Sequence, residues 1–128
     1  MFDLHPIGFV RSTLTDLATA PRQGDEGAPD AWIDVATGLG DALQGIAPGD
    51  ALIVITWFHR ARRDVLLTHP RNDPRNPLIG IFATRSPERP NPLGLHVVTV
   101  REVRGAALLV GPLEAIDGTP VVDLKPVL

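Results

Sequence analysis

Between Ile79 and His96 the chain reads Ile-Gly-Ile-Phe-Ala-Thr-Arg-Ser-Pro-Glu-Arg-Pro-Asn-Pro-Leu-Gly-Leu-His, apolar at both ends and proline-studded in the middle. Pro87, Pro90 and Pro92 each fix φ and push the preceding residue out of the helical region. Ser86, Arg89 and Asn91 are therefore extended or in turns, and no helix forms here. Each proline also removes a backbone donor, which excludes the segment from the middle of a sheet. What remains is a stiff, exposed crossing between two buried strands that presents Arg85, Glu88, Arg89 and Asn91. A solvated turn is the plainer reading. Rigid loops carrying charged donors are also where binding chemistry sits.

The 128 residues suffice for one domain, 1–128, with a single core. Thirteen prolines and twelve glycines predict turns and short strands rather than long helices. Cysteine is absent, so neither disulfides nor thiolate metal sites contribute. The histidines at 5, 59, 69 and 96 lack the spacing of a helical metal site, and no metal is expected. The first ten residues include Asp3, His5 and Pro6 and do not read as a signal peptide. No stretch is long and apolar enough for a membrane span, so a cytoplasmic, non-membrane protein is the expectation. Net charge is −3, which argues against strong non-specific nucleic-acid binding. The arginines nevertheless cluster between 60 and 89 while the acids concentrate in the first half, a distribution suited to a specific anionic ligand.

Residues 5–11 read as a first strand with Ile7 and Phe9 on one face. Residues 12–30 form a long loop, in which Pro21-Arg22-Gln23 has the geometry and donors to grip a carboxylate or an adenine edge. A loop without a ligand explains them equally well. Trp32, Ile33 and Val35 predict a second strand, and Gly38 to Gly45 one short helix. Ala51 to Phe58 is the most apolar run and reads as the central strand. It ends in His59-Arg60, where a histidine either caps the strand or meets a ligand. Val65 to Thr68, Leu95 to Val103, Ala106 to Leu113 and Val121 to Leu124 supply further strands, with hairpin turns at Gly105 and Asp117-Gly118. The sum is an all-β sandwich or barrel with one small helix. No G-x-G-x-x-G opens a helix, and the alternation of a doubly wound sheet is missing.

The run from Gly80 to Leu95 resembles the signature of the TrmO/TsaA-like family of S-adenosylmethionine-dependent tRNA methyltransferases. Trp57-Phe58-His59 and the ending Asp117-Gly118-Thr119-Pro120 … Asp123-Leu124-Lys125-Pro126 resemble its other motifs, with Leu124 where the family has Ile. The resemblance runs from about His5 to Pro126. It implies a small β-barrel, a homodimer, and N6-methylation of threonylcarbamoyladenosine at position 37 of tRNA. It implies a cofactor site of Pro21, Arg22, Gln23, His59, Arg60, Arg85, Leu95, Asp123, Leu124, Lys125 and Pro126, with Arg89 and Asn91 toward the acceptor. Many relatives have Gln where Arg60 stands. Longer members continue into a C-terminal region implicated in handling tRNA, so the cofactor half carries over more fully than the acceptor half.

Such a cofactor brings its own activated methyl group, so the protein has mainly to position donor and acceptor. Arg22 or Arg85 suits its carboxylate through paired guanidinium bonds. Asp123 suits its ammonium or a ribose hydroxyl, and backbone groups near Leu95 and Leu124 suit the adenine edge. His59 and His96 are the candidates for removing the acceptor's proton, and neither is assigned. A small-molecule acceptor on the same barrel, or a barrel that only binds S-adenosylmethionine, are the competing expectations.

Overall fold

A computed structural model of the chain describes residues 1–16 and 27–128. Among the described residues there are eight strands: β1 (Gly8–Arg11), β2 (Ala31–Val35), β3 (Ala51–Trp57), β4 (Leu67–Thr68), β5 (Ile79–Gly80), β6 (Leu93–Arg104), β7 (Ala107–Gly111) and β8 (Pro120–Pro126). Six of them close into an antiparallel barrel in the order β1-β2-β7-β6-β3-β8. Closure leaves no barrel strand without a neighbour on both sides, which removes the edge a short all-β chain would otherwise expose.

Alternation sets the inside. Gly8 and Val10, Ala31 and Ile33, Leu52, Val54 and Thr56, His96, Val98 and Val100, Leu108 and Val110, and Val121 all point inward and are buried. Ile7 and Phe9 do not share a face: the strand begins at Gly8, Phe9 is exposed on the outer side, and Ile7, just before the strand, is part-buried against the core. Gly8 is inward because nothing larger fits. A Cβ there would sit 2.4 Å from the Asp34 carbonyl oxygen.

Two register shifts help the sheet to curl. One lies between Ile55 and Thr56 on β3, opposite β8, and the other between Val100 and Glu102 on β6, opposite β7. Each inserts an unpaired residue and increases local twist, as barrels require. The first has a second effect: Ile55 pairs with Asp123 while Thr56 pairs with Val121, so Val122 is the extra residue and Asp123 is re-aimed.

Four expectations are revised. The short helix shrinks to a 3-10 turn, Gly40–Leu43, since Gly38, Gly40 and Gly45 leave too few good helix formers to continue it; Leu43 alone is buried. Asp117-Gly118 is not a hairpin, because β7 and β8 do not pair; residues 112–119 cross the barrel end, held by bonds from the Asp117 N–H to Leu14 and the Gly118 N–H to Val10. The strand near Val65 is only the two residues of β4. It pairs with β5 outside the barrel, so the proline-rich crossing joins an outlying ribbon to β6 rather than two buried strands.

β3 and β6 are direct neighbours, yet residues 58–92 lie between them in the chain. This excursion is drawn together at its base, where the Phe58 N–H bonds to the Pro92 carbonyl at 2.8 Å. Among the described residues no helix is long and apolar enough to cross a membrane.

Candidate functional site

β3 is apolar on both faces, although one face of a closed antiparallel barrel meets solvent. Its outward residues Ile53, Ile55 and Trp57 are only part-exposed, and the neighbouring β6 continues the patch with Leu93, Leu95 and Val97, which are 41%, 49% and 66% exposed. An exposed contiguous apolar face marks a place where something binds. The register puts charge beside it. Leu95 and Asp123 flank Ile55 from opposite sides, and Val97 and Lys125 flank Ile53 in the next row. Leu95, Asp123 and Lys125, distant in sequence, thus stand on one outer face.

Asp123 is half-buried and structured on both oxygens. Its Oδ1 accepts the Leu124 N–H at 2.9 Å, and its Oδ2 lies 3.4 Å from Lys125 Nζ. Leu124 turns inward and packs against the core, so it can offer a ligand its backbone rather than its side chain. Among the described residues β1 pairs with β8 only at Pro120 and Val121, so no described strand pairs with that side of Leu124. Pro126 ends the strand and is exposed. His59 and Arg60 follow directly on β3 and are exposed, His59 in a tight turn from its N–H to the Trp57 carbonyl at 2.9 Å.

The signature crossing is held from inside. Arg89 Nη1 donates to the carbonyls of Thr84 and Ser86 at 2.9 and 3.1 Å, which pins the turn around Arg85. Asn91 Oδ1 accepts from Arg63 Nη2 at 3.0 Å, and Arg63 Nε also donates to the Pro90 carbonyl at 2.7 Å. Arg89 and Asn91, expected to face the acceptor, are thus seen here as the groups that shape the loop. Arg85 is different: it is exposed, with no hydrogen bond or ion pair to another described residue. Pro21, Arg22 and Gln23 lie outside the described residues.

Sequence reasoning passed over two features, and it named a third, His96, as a candidate base without its buried setting. Arg63 lies over the Trp57 ring, 5.1 Å from its centroid, and so joins the excursion to the apolar face. A groove of about 530 Å³ extends that face, lined by Phe2, Leu4, Trp57, Leu93 and Val122 among others, one row beyond the residues assigned to a cofactor. Inside the barrel, His96 is 3% exposed and holds Thr56 Oγ1 through Nε2 at 2.7 Å and Glu114 Oε1 through Nδ1 at 2.5 Å. Hydrophobic alternation on β6 marks His96 as inward. Its partners depend on strand register and on the barrel-end crossing, which leave no local signal.

The donor set fits a molecule with a carboxylate, an amine and a flat aromatic base. On the outer face a carboxylate at Asp123, the backbone at Leu124 and an apolar bed of Ile55 and Leu95 each match one part, whereas Arg85 stands on the crossing before β6 with no hydrogen bond or ion pair joining it to that face. The molecule is of the class of small closed antiparallel barrels, with a part-exposed apolar face on the outer wall of three strands. Residues 9–128 match the family described as the tRNA-methyltransferase O N-terminal domain. The chain belongs to that family.

Among curated relatives, a probable S-adenosyl-L-methionine-binding protein of Archaeoglobus fulgidus is 43% identical over 126 residues, covering 98% of this chain and 34% of its own length. A probable S-adenosyl-L-methionine-binding protein of Halobacterium salinarum is 37% identical over 125 residues, covering 96% of each. The crystal structure of TrmO from Pseudomonas aeruginosa superposes with a TM-score of 0.80 at 26% identity, over all of this chain and 56% of that one. The chain thus spans about a third of the first of these relatives and just over half of the solved one.

Proposed function

We propose that this chain binds S-adenosylmethionine on the outer face of β8, β3 and β6 and transfers its methyl group to N6 of threonylcarbamoyladenosine at position 37 of tRNA, in the cytoplasm. The observation that carries the reading is the row Asp123–Ile55–Leu95, which puts a carboxylate and an apolar surface side by side next to the backbone of Leu124 on β8. The relatives' names support the ligand, and the family's description supports a tRNA acceptor.

The bound cofactor would contribute an electrophilic methyl on sulfonium, and the chain's residues then have to hold and orient. Arg85 is the group to take the carboxylate by two parallel bonds. Asp123 takes the ammonium or a ribose hydroxyl, with Lys125 beside it balancing its charge. Leu95 and Ile55 exclude water from one side of the base while the backbone at Leu124 reads its edge. His59, exposed at the end of β3, borders this face and is the group nearest in chain to receive an acceptor proton. We read the exposed stripe Leu93, Leu95 and Val97 as the contact of a homodimer, which would cover what one chain leaves wet.

Isothermal titration with S-adenosylmethionine tests the cofactor half. Wild type binds, and Arg85→Ala loses roughly ten- to a hundredfold in affinity, the range for a charge-assisted bond. Unchanged affinity in Arg85→Ala refutes the assignment. Mass spectrometry of tRNA nucleosides from a deletion strain tests the acceptor half, by loss of the methylated nucleoside. One observation favours a second reading. A relative matching nearly end to end is named for binding alone, so a barrel that binds without this acceptor is the alternative; normal tRNA nucleosides in the deletion strain would select it.

A further inference from the structure

The cofactor face leaves most of the excursion unused. Residues 59–92 hold seven of the twelve basic residues and three of the fifteen acidic ones, a local excess of four positive charges on a chain of net charge −3. The remainder of the molecule is correspondingly acidic. A phosphate backbone is drawn to the excursion and repelled by the barrel.

An aromatic ring stands out on this cationic element. Phe82 is 79% exposed, although the 3-10 turn Ile81–Ala83 that carries it is well held: both the N–H and the hydroxyl of Thr84 bond to the Ile81 carbonyl. A fixed turn with an unpacked ring is a ready stacking surface. The Ile81 N–H bonds to the Leu66 carbonyl at 2.9 Å, which ties the turn carrying Phe82 to a residue of a second cleft's wall. That cleft measures about 430 Å³, and its lining includes Asp64, Leu66, Thr68, Asn72, Ser86 and Glu88. It also includes Arg62, so carboxylate, hydroxyl, amide and guanidinium groups are mixed there, donors and acceptors together, as the edge of a base or a ribose requires. Arg62 donates two bonds to Asp64 and holds its carboxyl below the ordinary range, which keeps it an acceptor.

We propose that this cleft receives an unstacked nucleobase from a single-stranded RNA segment, that Phe82 stacks on a neighbouring base, and that the arginine-rich excursion takes the phosphates. This rests on the RNA-acceptor reading above and gives it a location. A duplex does not suit the site, since its bases are already stacked and a ring on a tight turn cannot reach their faces.

Fluorescence anisotropy on the full chain decides it, with a labelled RNA stem-loop carrying adenines in its unpaired loop and a fully paired RNA of equal length. Wild type prefers the stem-loop. Phe82→Ala weakens it by roughly 5- to 150-fold, the span of one base–aromatic stack. It leaves the salt dependence of binding, the S-adenosylmethionine affinity and the sedimentation coefficient unchanged, and Phe82→Trp restores binding. Stem-loop affinity within about twofold of wild type in Phe82→Ala, alongside normal wild-type RNA methylation, overturns this inference and spares the acceptor reading. Wild type that binds cofactor but neither binds nor methylates RNA overturns both. Loss of RNA binding together with a slower-sedimenting, cofactor-deficient Phe82→Ala makes Phe82 a contact between copies and also overturns it.

Discussion

At the scale of single residues, the interior polar group His96 has more at stake than any exposed charge. Both its ring nitrogens are bonded, to Thr56 and to Glu114, in a space with almost no solvent. Thr56→Val keeps the shape and removes one partner, leaving a buried nitrogen unsatisfied. A loss of about 1–3 kcal/mol in urea unfolding is expected, with Thr56→Ser close to wild type. Gly94 belongs to the same corner. A Cβ there would lie 2.5 Å from both the Phe58 ring and Thr56 Oγ1, so Gly94→Ala is expected to cost about 1–3 kcal/mol as well. On the outside, Arg11 Nε and Nη2 grip Asp34 at 2.8 and 2.9 Å and hold its carboxyl below the ordinary value of 3.8. A depressed carboxyl stabilises the fold above its unfolded-state pKa and stops doing so as pH falls through the lower folded value. The stability gap between wild type and Asp34→Asn therefore narrows to nothing on acidification below that value, as unfolding curves across pH will show.

At the scale of elements, the two faces of the barrel strands separate stability from binding. Leu108 is fully buried on β7, and Leu108→Ala is expected to cost about 2–5 kcal/mol in a denaturant titration. Leu95 on β6 is half-exposed on the other side of the wall. Leu95→Ala should move stability by no more than about 0.5 kcal/mol, yet weaken S-adenosylmethionine binding measured calorimetrically. Equal damage to both properties would mean that the outer face is structural. The excursion obeys another logic, held by side-chain-to-backbone bonds such as Asn76 Nδ2 to Pro70 and Arg89 Nη1 to Thr84. Its prolines make those few bonds sufficient, because they leave little chain freedom to remove.

At the scale of the molecule, closure of the sheet leaves one apolar face uncovered, and the prediction there concerns association. Sedimentation velocity is expected to show a dimer for wild type and a monomer for Val97→Glu, which sets a charge at the most exposed position of the stripe without touching the core. A Val97→Glu dimer would place the contact elsewhere. Much of this organisation was readable in advance. Strong alternation at 95–103, the apolar run at 51–58 and the glycine and proline punctuation pointed to short strands and a small all-β fold. The motifs around Arg85 and Asp123 were recognisable because their residue types repeat a family pattern. Phe9 facing outward and the 3-10 turn at Gly40–Leu43 were not readable, since a short apolar segment does not say which side or which turn length the packing will choose.

Local chemistry alone decided most of the barrel strands, the hairpin at Gly105 and the stiffness of the proline-rich crossing, because proline, glycine and period-two alternation act within a few residues. Closure into a barrel, the shift at Ile55 that carries Asp123 level with Leu95, and the enclosure of His96 between Thr56 and Glu114 belong to the tertiary structure. Each depends on register between strands far apart in the chain, and register is settled by the packing of the whole core.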